Sequence, residues 1–322
     1  MTDAVIVSTA RSPIGRAFKG SLKDIRPDDL SAQMVKAALD KIGLDGNDVD
    51  DLHWGCAEPS HRHGSNMARV IAVLAGYDRL PGTTVNRFCA SSVQTTRMAY
   101  HAIKAGEGDI FVSGGVECVS QYTTFAGAGG VPEEDMNPVF ADARSRSEEM
   151  ARTNERWTDP REQGLLPDVY LAMGQTAENV ATMRGMDRAR MDEWGVRSQN
   201  RAEAAIASGF FEREITPVTL ADGTVVSTDD GPRAGVTLEK VAGLKPVFRE
   251  DGVVTAGNCC ALNDGAAALV VMSDTKAKEL GLTPLARIVS TGVSALSPEI
   301  MGLGPIEASK QALARTGMSI GD

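Results

Sequence analysis

The sequence is poor in the residues that crosslink a fold or place it in a membrane. Its 322 residues contain five cysteines, too few for a disulfide-rich framework at this length, so we expect a reducing compartment. No apolar run approaches the roughly 20 residues that a helix needs to cross a bilayer. Residues 1–5 place no basic stretch before their apolar residues, so we expect no secretory signal. These absences favour a cytoplasmic globular protein.

Positive charge is also scarce. The chain has 33 lysines and arginines against 43 acidic residues, a net charge of -10. Such a chain does not attract nucleic acid or an anionic membrane surface, and we expect neither as a partner. An anionic ligand would therefore need a local cationic patch. Arg184, Arg188 and Arg190 form one such cluster, which is either a phosphate site or an ordinary solvated face.

Histidine is limited to four residues, and two of them raise the question of a metal. His61 and His63 follow Cys56 closely, and a His-x-His pair with a nearby cysteine can bind zinc. No fourth ligand follows at a recognised spacing. We therefore expect no metal site.

The order of apolar patterns predicts a layered α/β fold. Residues 4–7 form a continuous apolar run, typical of a strand buried on both faces. Residues 30–42 repeat apolar side chains at helical spacing, and a second helix is expected near residues 66–75. Residues 110–112 and 265–273 again have buried-strand composition. Alternating strands and helices are characteristic of α/β layers.

Cys89 lies where a strand is predicted to turn into a helix. The strand-like run of residues 83–85 ends abruptly, and a helical run with Val93, Tyr100 and Ile103 on one stripe follows. Unpaired N–H groups and the positive dipole end of a helix favour an anion, and hence a nucleophilic thiolate. A buried, inert thiol is the alternative, because free cysteines are commonly found in cores. Position alone leaves both interpretations open.

The residues around Cys89 combine with motifs elsewhere into a wider pattern. Residues 85–95 (V-N-R-F-C-A-S-S-V-Q-T), followed by G-G-V-E at 114–117, resemble the thiolases. Six further motifs occur in the order found in that family: N-x-A-R at 66–69, M-G-x-T-A-E-N-V-A at 173–181, S-Q-x-R-A at 198–202, L-K-P-x-F at 244–248, T-A-G-N at 255–258 and N-D-G-A-A at 263–267. The ordered set is far more specific than any single motif.

The resemblance implies a thiolase-like layered α/β fold of two similar halves, with an inserted loop domain and a truncated second half. Residues 1–120 would form the N-terminal half, with residues 250–275 returning to it. Residues 121–249 would be the loop domain, in which the small-residue run 126–130 marks a loop. Residues 276–322 would begin the C-terminal half.

An internal repeat supports the two similar halves. Residues 4–9 (A-V-I-V-S-T) align with residues 286–291 (A-R-I-V-S-T), and residues 35–39 align with 309–313. Chance similarity between two strand–helix units is the alternative. If the duplication is real, the second copy stops at residue 322 while the first continues, so the chain is expected to end in mid-domain.

The resemblance also implies roles for particular residues. Cys89 would be the catalytic nucleophile that carries the acyl group. Four residues would contact coenzyme A: Arg233 near its nucleotide end, Met173 as an apolar wall, Cys260 beside the pantetheine arm, and Ala256 in the T-A-G-N motif. Coenzyme A is then a substrate, and no other cofactor is implied.

Three groups of the thiolase reaction have no counterpart in these residues. They are an N-E-A-F loop, the histidine of a G-H-P motif and the cysteine of a C-x-G-G-G motif. None of the four histidines falls in such a pattern. We therefore expect the 322 residues alone to lack turnover, since an acid or base of this kind contributes roughly 10²–10⁴-fold to a rate.

The function implied is acyl transfer between coenzyme A thioesters, by thiolytic cleavage or condensation of 3-ketoacyl-CoA through an acyl-cysteine. The Arg87-Phe88 pair before the cysteine favours a degradative acetyl-CoA C-acyltransferase of fatty acid β-oxidation. A biosynthetic acetoacetyl-CoA thiolase is one alternative. A non-catalytic acyl-CoA-binding or scaffold subunit is another, if the chain truly ends at residue 322. We expect acyl-CoA and coenzyme A as partners, and a homodimer or a dimer-of-dimers tetramer.

Overall fold

The computed structural model describes residues 2–122 and 131–322. Its contacts divide the chain into two compact units: unit 1 is Met1–Tyr122, Ala205–Gly231 and Ala261–Val289, and unit 2 is Thr123–Ala204, Pro232–Cys260 and Ser290–Asp322. Three segments group differently from the expected domains: residues 205–231 lie in unit 1, and residues 250–260 and 290–322 lie in unit 2. The domain boundaries drawn from the sequence stay a prediction. The loop predicted at residues 126–130 lies outside the described residues.

Unit 1 is built on one mixed sheet. Its strands are β1 (Ala4–Arg11), β2 (Gly15–Arg16), β3 (Asp51–Gly55), β4 (Gly82–Val85), β5 (Ile110–Cys118), β8 (Asn263–Ser273) and β9 (Ala286–Ile288). The order across the sheet is β4-β3-β5-β8-β1-β9, and β2 pairs with β8. The strands predicted near residues 4–7, 110–112 and 265–273 are confirmed. A separate small ribbon joins β6 (Val218–Thr219) to β7 (Val225–Val226).

Three neighbouring strands end together at one edge of this sheet. β3 runs parallel to both β4 and β5, and Gly55 at its end pairs with Val85 and with Gly115. Parallel strands present their carboxyl ends at the same edge, where α/β proteins commonly bind ligands. The segments that follow β3 and β4, and the last residues of β5, are therefore neighbours in space.

Helices cover both faces of the sheet. Alternate residues of β8 belong to two different clusters: Ala268 and Val270 pack with the helices α1 (Pro27–Asp40) and α2 (Met67–Leu74), whereas Val271 packs with α3 (Ser91–Ala105). This alternation is the two-residue period of a strand that is buried on both sides. The layered α/β arrangement expected from the sequence is confirmed for unit 1. The remaining helices of unit 1 are the short α7 (Phe210–Glu214) and α9 (Asp274–Glu279).

The predicted apolar stripe of helix α3 is confirmed at Ile103, which is buried, and is wrong at Val93, which is exposed. The buried residues of the helix are Ser91, Thr95, Ala99 and Ile103, while Val93 is 69% exposed. The small residues bring the helix close to the sheet, and the Thr95 hydroxyl donates a hydrogen bond of 3.1 Å to the Gly114 carbonyl. The sequence prediction placed Val93 on the buried face because valine is apolar. The close approach of the helix to the sheet instead requires small side chains on that face.

Unit 2 is largely helical. It contains α4 (Ala141–Thr153), α5 (Met173–Arg184), most of α6 (Arg188–Ala207), α8 (Leu238–Ala242) and α10 (Gly304–Ala314). The carboxylate of Glu299 is buried here and accepts hydrogen bonds from the Trp157 indole N–H and the Asp168 backbone N–H, both at 2.8 Å. Such charge-assisted hydrogen bonds satisfy a buried anion that would otherwise be costly.

The two copies of the internal repeat make the same contacts, each within its own unit. The Ser8 hydroxyl donates to the Ala38 carbonyl at 2.6 Å, and the Ser290 hydroxyl donates to the Ala312 carbonyl at 2.6 Å. The helices that carry these carbonyls are followed by Gly43 and Gly317, at φ of 65° and 71°. Equivalent residues thus have equivalent contacts, which favours duplication over chance similarity.

No helix among the described residues is long and apolar enough to cross a membrane. All five cysteines carry free thiols.

Candidate active site

Cys89 occupies the turn between β4 and α3, as the sequence predicts. The strand ends at Val85, and the helix begins at Ser91. Phe88, directly before the cysteine, has a φ of 46°, which is rare for a bulky side chain. The Cys89 side chain is exposed, so the alternative of a buried, inert thiol is wrong for this structure. Its role as nucleophile stays a prediction.

The Cys89 turn is held in this conformation by two side chains. Ser91 Oγ accepts a hydrogen bond from the Arg87 N–H at 2.8 Å and donates one to the Phe88 carbonyl at 2.6 Å. Asn86 Oδ1 accepts a hydrogen bond from the Phe88 N–H at 2.8 Å. Residues in sparsely populated backbone regions persist only where their surroundings fix them, and they cluster at functional sites.

Glycines beneath the turn allow α3 to approach the sheet. A Cβ on Gly55 would lie 2.9 Å from the Ser92 backbone nitrogen, and one on Gly115 would lie 2.8 Å from the Gly55 carbonyl oxygen. A Cβ on Gly115 would also overlap Ser92 Oγ. The Ser92 hydroxyl therefore uses space that Gly115 leaves free.

Substitution of Gly115 tests this close approach. A Gly115→Ala variant is expected to lose about 2 kcal/mol of unfolding free energy, because the new methyl group overlaps backbone that cannot move freely. Urea unfolding measures the change. Gly231→Ala is the matched control, since a Cβ there meets nothing within 4 Å. Equal stabilities of the two variants would contradict the packing described here.

The other cysteines have different environments. Cys56 and Cys118 are buried, and burial raises the pKa of each thiol, with a further contribution from nearby carboxylates. These two residues are consequently held as neutral, weakly nucleophilic thiols. Cys259 and Cys260 are exposed, and partial burial together with the neighbouring Cys260 raises the pKa of Cys259.

The four residues predicted to contact coenzyme A all belong to unit 2, whereas Cys89 belongs to unit 1. Arg233 is exposed, and its backbone N–H donates to Gln199 Oε1 at 2.9 Å. Among residues 2–122 and 131–322, no carboxylate forms a salt bridge with its guanidinium. Met173 is the first residue of α5 and is 43% exposed. The arginine is thus available for an anion.

Ala256 and Cys260 lie on a loop that α5 and α6 support. Glu178 accepts hydrogen bonds from the Val253 and Val254 N–H groups, at 3.0 and 2.8 Å. Asn258 donates to Asp192 and to the Val253 carbonyl, both at 2.9 Å. Glu178 of the M-G-x-T-A-E-N motif and Asp192 of α6 therefore hold this loop in place.

The arginine cluster of unit 2 is partly structural. Arg188 bonds to Asp192 at 2.7 Å and to the carbonyls of Val241 and Leu244 at 2.9 and 3.0 Å. Its guanidinium is therefore committed to the fold. Arg184 and Arg190 stay open as alternatives to Arg233.

The two histidines considered as zinc ligands have other environments in the structure. His63 is buried, and its Nε2 accepts a hydrogen bond of 3.1 Å from the Cys118 N–H. Burial lowers the pKa of His63 to about 4, so the ring is neutral. His61 is exposed. In the part of the chain that is described, no three His, Cys, Asp or Glu side chains are placed to share a metal ion.

Sequence reasoning missed Asn86 and Ser91 as residues that fix the Cys89 turn, and it missed Glu117 as a residue that binds the loop after β3. All three lie within quoted motifs, but a motif does not reveal which of its residues touch one another. Glu117 binds a loop about sixty residues earlier in the chain, so only the assembled sheet shows the contact.

Comparison with known proteins agrees with this geometry. Residues 4–275 match the family model for the thiolase N-terminal domain. The chain is 39% identical to a 3-ketoacyl-CoA thiolase of Pseudoalteromonas translucida, over all of this chain and 77% of that protein. It is 42% identical to an acetyl-CoA acetyltransferase of Cupriavidus necator, over 98% of this chain and 77% of that protein.

A solved structure of a related enzyme also has the same fold as this chain. The crystal structure of the Bacillus anthracis acetyl-CoA acetyltransferase aligns with a TM-score of 0.81 at 36% identity, covering 99% of this chain and 78% of that one. The chain therefore belongs to the thiolases, enzymes that transfer acyl groups between coenzyme A thioesters. The resemblance and the fold class drawn from the sequence are confirmed, and the acyltransferase function is favoured over the scaffold alternative.

Proposed function

We propose that Cys89 carries the acyl group in thiolytic cleavage of 3-ketoacyl-CoA. The observation that carries this proposal is an exposed thiol on a turn fixed by Asn86 and Ser91, at the start of a helix. The two buried cysteines of unit 1 lack this access. The names of the relatives, a 3-ketoacyl-CoA thiolase and an acetyl-CoA acetyltransferase, support the substrate class.

The chemistry proposed has two stages. The Cys89 sulfur attacks the 3-keto carbon of the substrate, and the electron pair of the C=O bond moves to oxygen. The carbonyl then re-forms as the bond between C2 and C3 breaks, which leaves a shortened acyl group on sulfur. The departing acetyl-CoA enolate takes up a proton from water, which balances the proton that the Cys89 thiol gives up to water on attack. In the second stage the thiol of coenzyme A attacks the thioester and releases the shortened acyl-CoA, with Cys89 restored.

The acyl-enzyme stage can be tested without turnover. After incubation with acetoacetyl-CoA, we expect the intact mass of the protein to rise by one acetyl group per chain, with acetyl-CoA released. This single event needs the Cys89 thiolate, the bound thioester and a proton for the departing enolate, which water can supply slowly, whereas turnover also requires the second stage. No change in mass after prolonged incubation would contradict the proposal.

We further propose that Arg233, Met173, Ala256 and Cys260 bind coenzyme A. The support is an exposed, unpaired guanidinium on a chain of net charge -10, together with a well-supported loop that carries Ala256 and Cys260. A guanidinium suits phosphate because it offers a planar set of donors. No cofactor beyond this substrate is proposed.

Arg233→Ala tests the cationic contact. The dissociation constant of coenzyme A is expected to rise about tenfold at low salt, and by less at high salt, because exposed charges are screened. Isothermal titration with coenzyme A alone measures it. The matched control is Arg79→Ala, an exposed arginine of unit 1, which should bind like the unaltered protein. An unchanged constant for Arg233→Ala at low salt would direct attention to Arg184 and Arg190.

The compartment, the pathway, the oligomeric state and the partners of the protein are part of the same proposal. We propose a cytoplasmic enzyme of fatty acid β-oxidation that acts as a homodimer or a dimer of dimers. The degradative direction is favoured by the Arg87-Phe88 pair and by the 3-ketoacyl-CoA thiolase among the relatives. Acyl-CoA and coenzyme A are its partners, and neither nucleic acid nor a membrane is proposed as one.

A further inference from the structure

Glu117 lies near the end of β5 and makes an unusual number of contacts for one carboxylate. Its Oε2 accepts a hydrogen bond from the Ala57 N–H at 2.8 Å. Its Oε1 accepts from the Tyr122 hydroxyl at 2.6 Å, from the Glu58 N–H at 3.4 Å, and from the Cys56 thiol at 3.5 Å. The carboxylate thus fixes the loop that follows β3, which we call the 56–58 loop.

The 56–58 loop is in turn bonded to the Cys89 turn. Asn86 Nδ2 donates a hydrogen bond to the Ala57 carbonyl at 3.1 Å. The other atom of the same amide, Oδ1, accepts from the Phe88 N–H at 2.8 Å. A continuous path of hydrogen bonds therefore runs from Glu117 through the 56–58 loop and Asn86 to the residue before Cys89.

We propose that Glu117 is a positioning residue for Cys89, acting through the 56–58 loop and Asn86. This inference rests on the proposed role of Cys89 as nucleophile. An ionised acceptor forms stronger hydrogen bonds than a neutral one, so the loop is held more firmly than an amide could hold it. The peptide group between Ala57 and Glu58 also donates to the carboxylate and accepts from Asn86, and linked hydrogen bonds strengthen one another.

The turn has particular need of such support. Phe88 has a positive φ, so the turn would relax toward more populated backbone angles if its hydrogen bonds were lost. A relaxed turn would move the sulfur relative to a bound thioester, and a displacement of about 1 Å can lower a rate about a hundredfold. Glu117 itself touches neither the sulfur nor any substrate in this account.

A nearby carboxylate provides the contrast that the test needs. Asp264 pairs with Cys118 across the sheet and is fully buried. It accepts hydrogen bonds from the Ser120 N–H at 2.8 Å and the Ser120 hydroxyl at 2.6 Å. Among the described residues, none of its hydrogen bonds leads to the Cys89 turn. Asp264→Asn therefore perturbs a buried carboxylate of the same sheet without touching the proposed path.

Glu117→Gln is the informative change, because it keeps the volume and removes the charge. One glutamine oxygen can accept from the Ala57 N–H, but the amide NH₂ then faces the Glu58 N–H and cannot accept from it. The peptide group that binds Asn86 is thereby released. Asn86→Ala removes the next step of the path. If the two residues act together, the double variant should be no worse than Asn86→Ala alone.

The experiment measures the rate of acetyl transfer from acetyl-CoA to each cysteine, by peptide mass analysis at several acetyl-CoA concentrations. We expect Glu117→Gln and Asn86→Ala each to lower the limiting acetylation rate at Cys89 about tenfold, with the half-saturating concentration unchanged. Asp264→Asn should match the unaltered protein. The free energy of urea unfolding monitors folding. Thiol labelling is unsuitable, because burial and the charge of Glu117 both raise the pKa of Cys56 and Cys118, and removal of that charge would alter the labelling of these thiols without opening the unit.

Each outcome supports or overturns a defined claim. Loss of rate in both single variants without further loss in the double variant supports the positioning role. Independent, multiplicative losses, or equal losses in Asp264→Asn, would overturn it. A loss of unfolding free energy in Glu117→Gln large enough to leave part of the protein unfolded under the assay conditions would also overturn it, since the residue would then serve the fold as a whole. Absence of Cys89 acetylation in the unaltered protein would refute the proposed function instead.

Discussion

A Cys89→Ser variant is expected to form no acyl adduct with acetoacetyl-CoA and to release no acetyl-CoA. The hydroxyl of serine is a far weaker nucleophile than a thiol at neutral pH, and it has no adjacent base among the contacts of this turn. The loss should be complete within the sensitivity of intact-mass analysis. It should also occur without loss of stability, because the Cys89 side chain is exposed.

The matched control for this prediction is Cys259→Ser. Cys259 is likewise an exposed thiol, but it belongs to unit 2 and lies in no turn of this kind. We expect it to leave the adduct unchanged. Persistence of the adduct in Cys89→Ser, or its loss in Cys259→Ser, would mean that another residue carries the acyl group.

Acidification is expected to destabilise the protein through His63. Burial lowers the pKa of this side chain to about 4, below its ordinary value of 6.5. The unfolded chain therefore takes up a proton at a pH where the folded protein does not. Stability from this group is complete above pH 6.5 and declines as the pH falls toward 4. Its full size is about 3 kcal/mol, of which about 2 kcal/mol should be lost by pH 5.

The structural reason is the bond from Cys118. His63 Nε2 accepts the Cys118 N–H, and the ring packs edge-on against Tyr122 with centroids 5.3 Å apart. Protonation of Nε2 would place two donors face to face. A His63→Gln variant, which can still accept that hydrogen bond through its amide oxygen, should lose less stability than the unaltered protein between pH 7 and pH 5, by about 2 kcal/mol.

Urea unfolding at both pH values measures this difference. Carboxylates also contribute to the loss of stability in acid. The comparison is therefore between the two proteins' changes in unfolding free energy from pH 7 to pH 5. His101→Gln is the control, because His101 is exposed. Parallel pH dependence of the His63→Gln variant and the unaltered protein would show that His63 is not held neutral by the fold.

Much of the local structure around Cys89 was accessible from the sequence. The sequence predicts a strand, a turn and a helix here. It does so because an apolar run stops before the cysteine and helix-forming residues follow it at helical spacing. The repeat was accessible for the same reason, because Ser8 and Ser290 stand at equal positions in similar strings of residues. Such features depend on neighbours in the chain, which a sequence displays directly.

The contact between Glu117 and the loop after β3 depends on distant residues and was not accessible. Glu117 and Ala57 are 60 positions apart, and they meet only because parallel β3 and β5 end at the same edge of the sheet. The order of strands in that sheet decides the contact. Nothing in the spacing of the motifs encodes that order.

The stripe of α3 shows a second limit. Val93 belongs to the apolar stripe that the sequence predicts, yet it is exposed, whereas Ser91 and Thr95 are buried. Hydropathy predicts burial well when a helix packs at ordinary distance. Here Gly55 and Gly115 bring the helix so close that small side chains are required, and their hydroxyl groups find partners on the backbone.

Family motifs were a sound guide to membership but a weaker guide to contacts. Glu178, in the M-G-x-T-A-E-N motif, is buried and bonds to backbone N–H groups of the 252–260 loop. Gly174 is required because a Cβ would overlap the ring of Phe248. Residues that identify the family can therefore act by shaping a loop, without touching a substrate.

The most direct test of the account is to locate the acyl group after reaction with acetoacetyl-CoA. Peptide mass mapping of the acylated protein distinguishes all five cysteines, since Cys56, Cys89 and Cys118 fall in separate stretches and Cys259 and Cys260 can be resolved by fragmentation. We predict a single acetyl group on Cys89, formed together with one equivalent of acetyl-CoA. An acetyl group on Cys259 or Cys260 with Cys89 free would contradict the account.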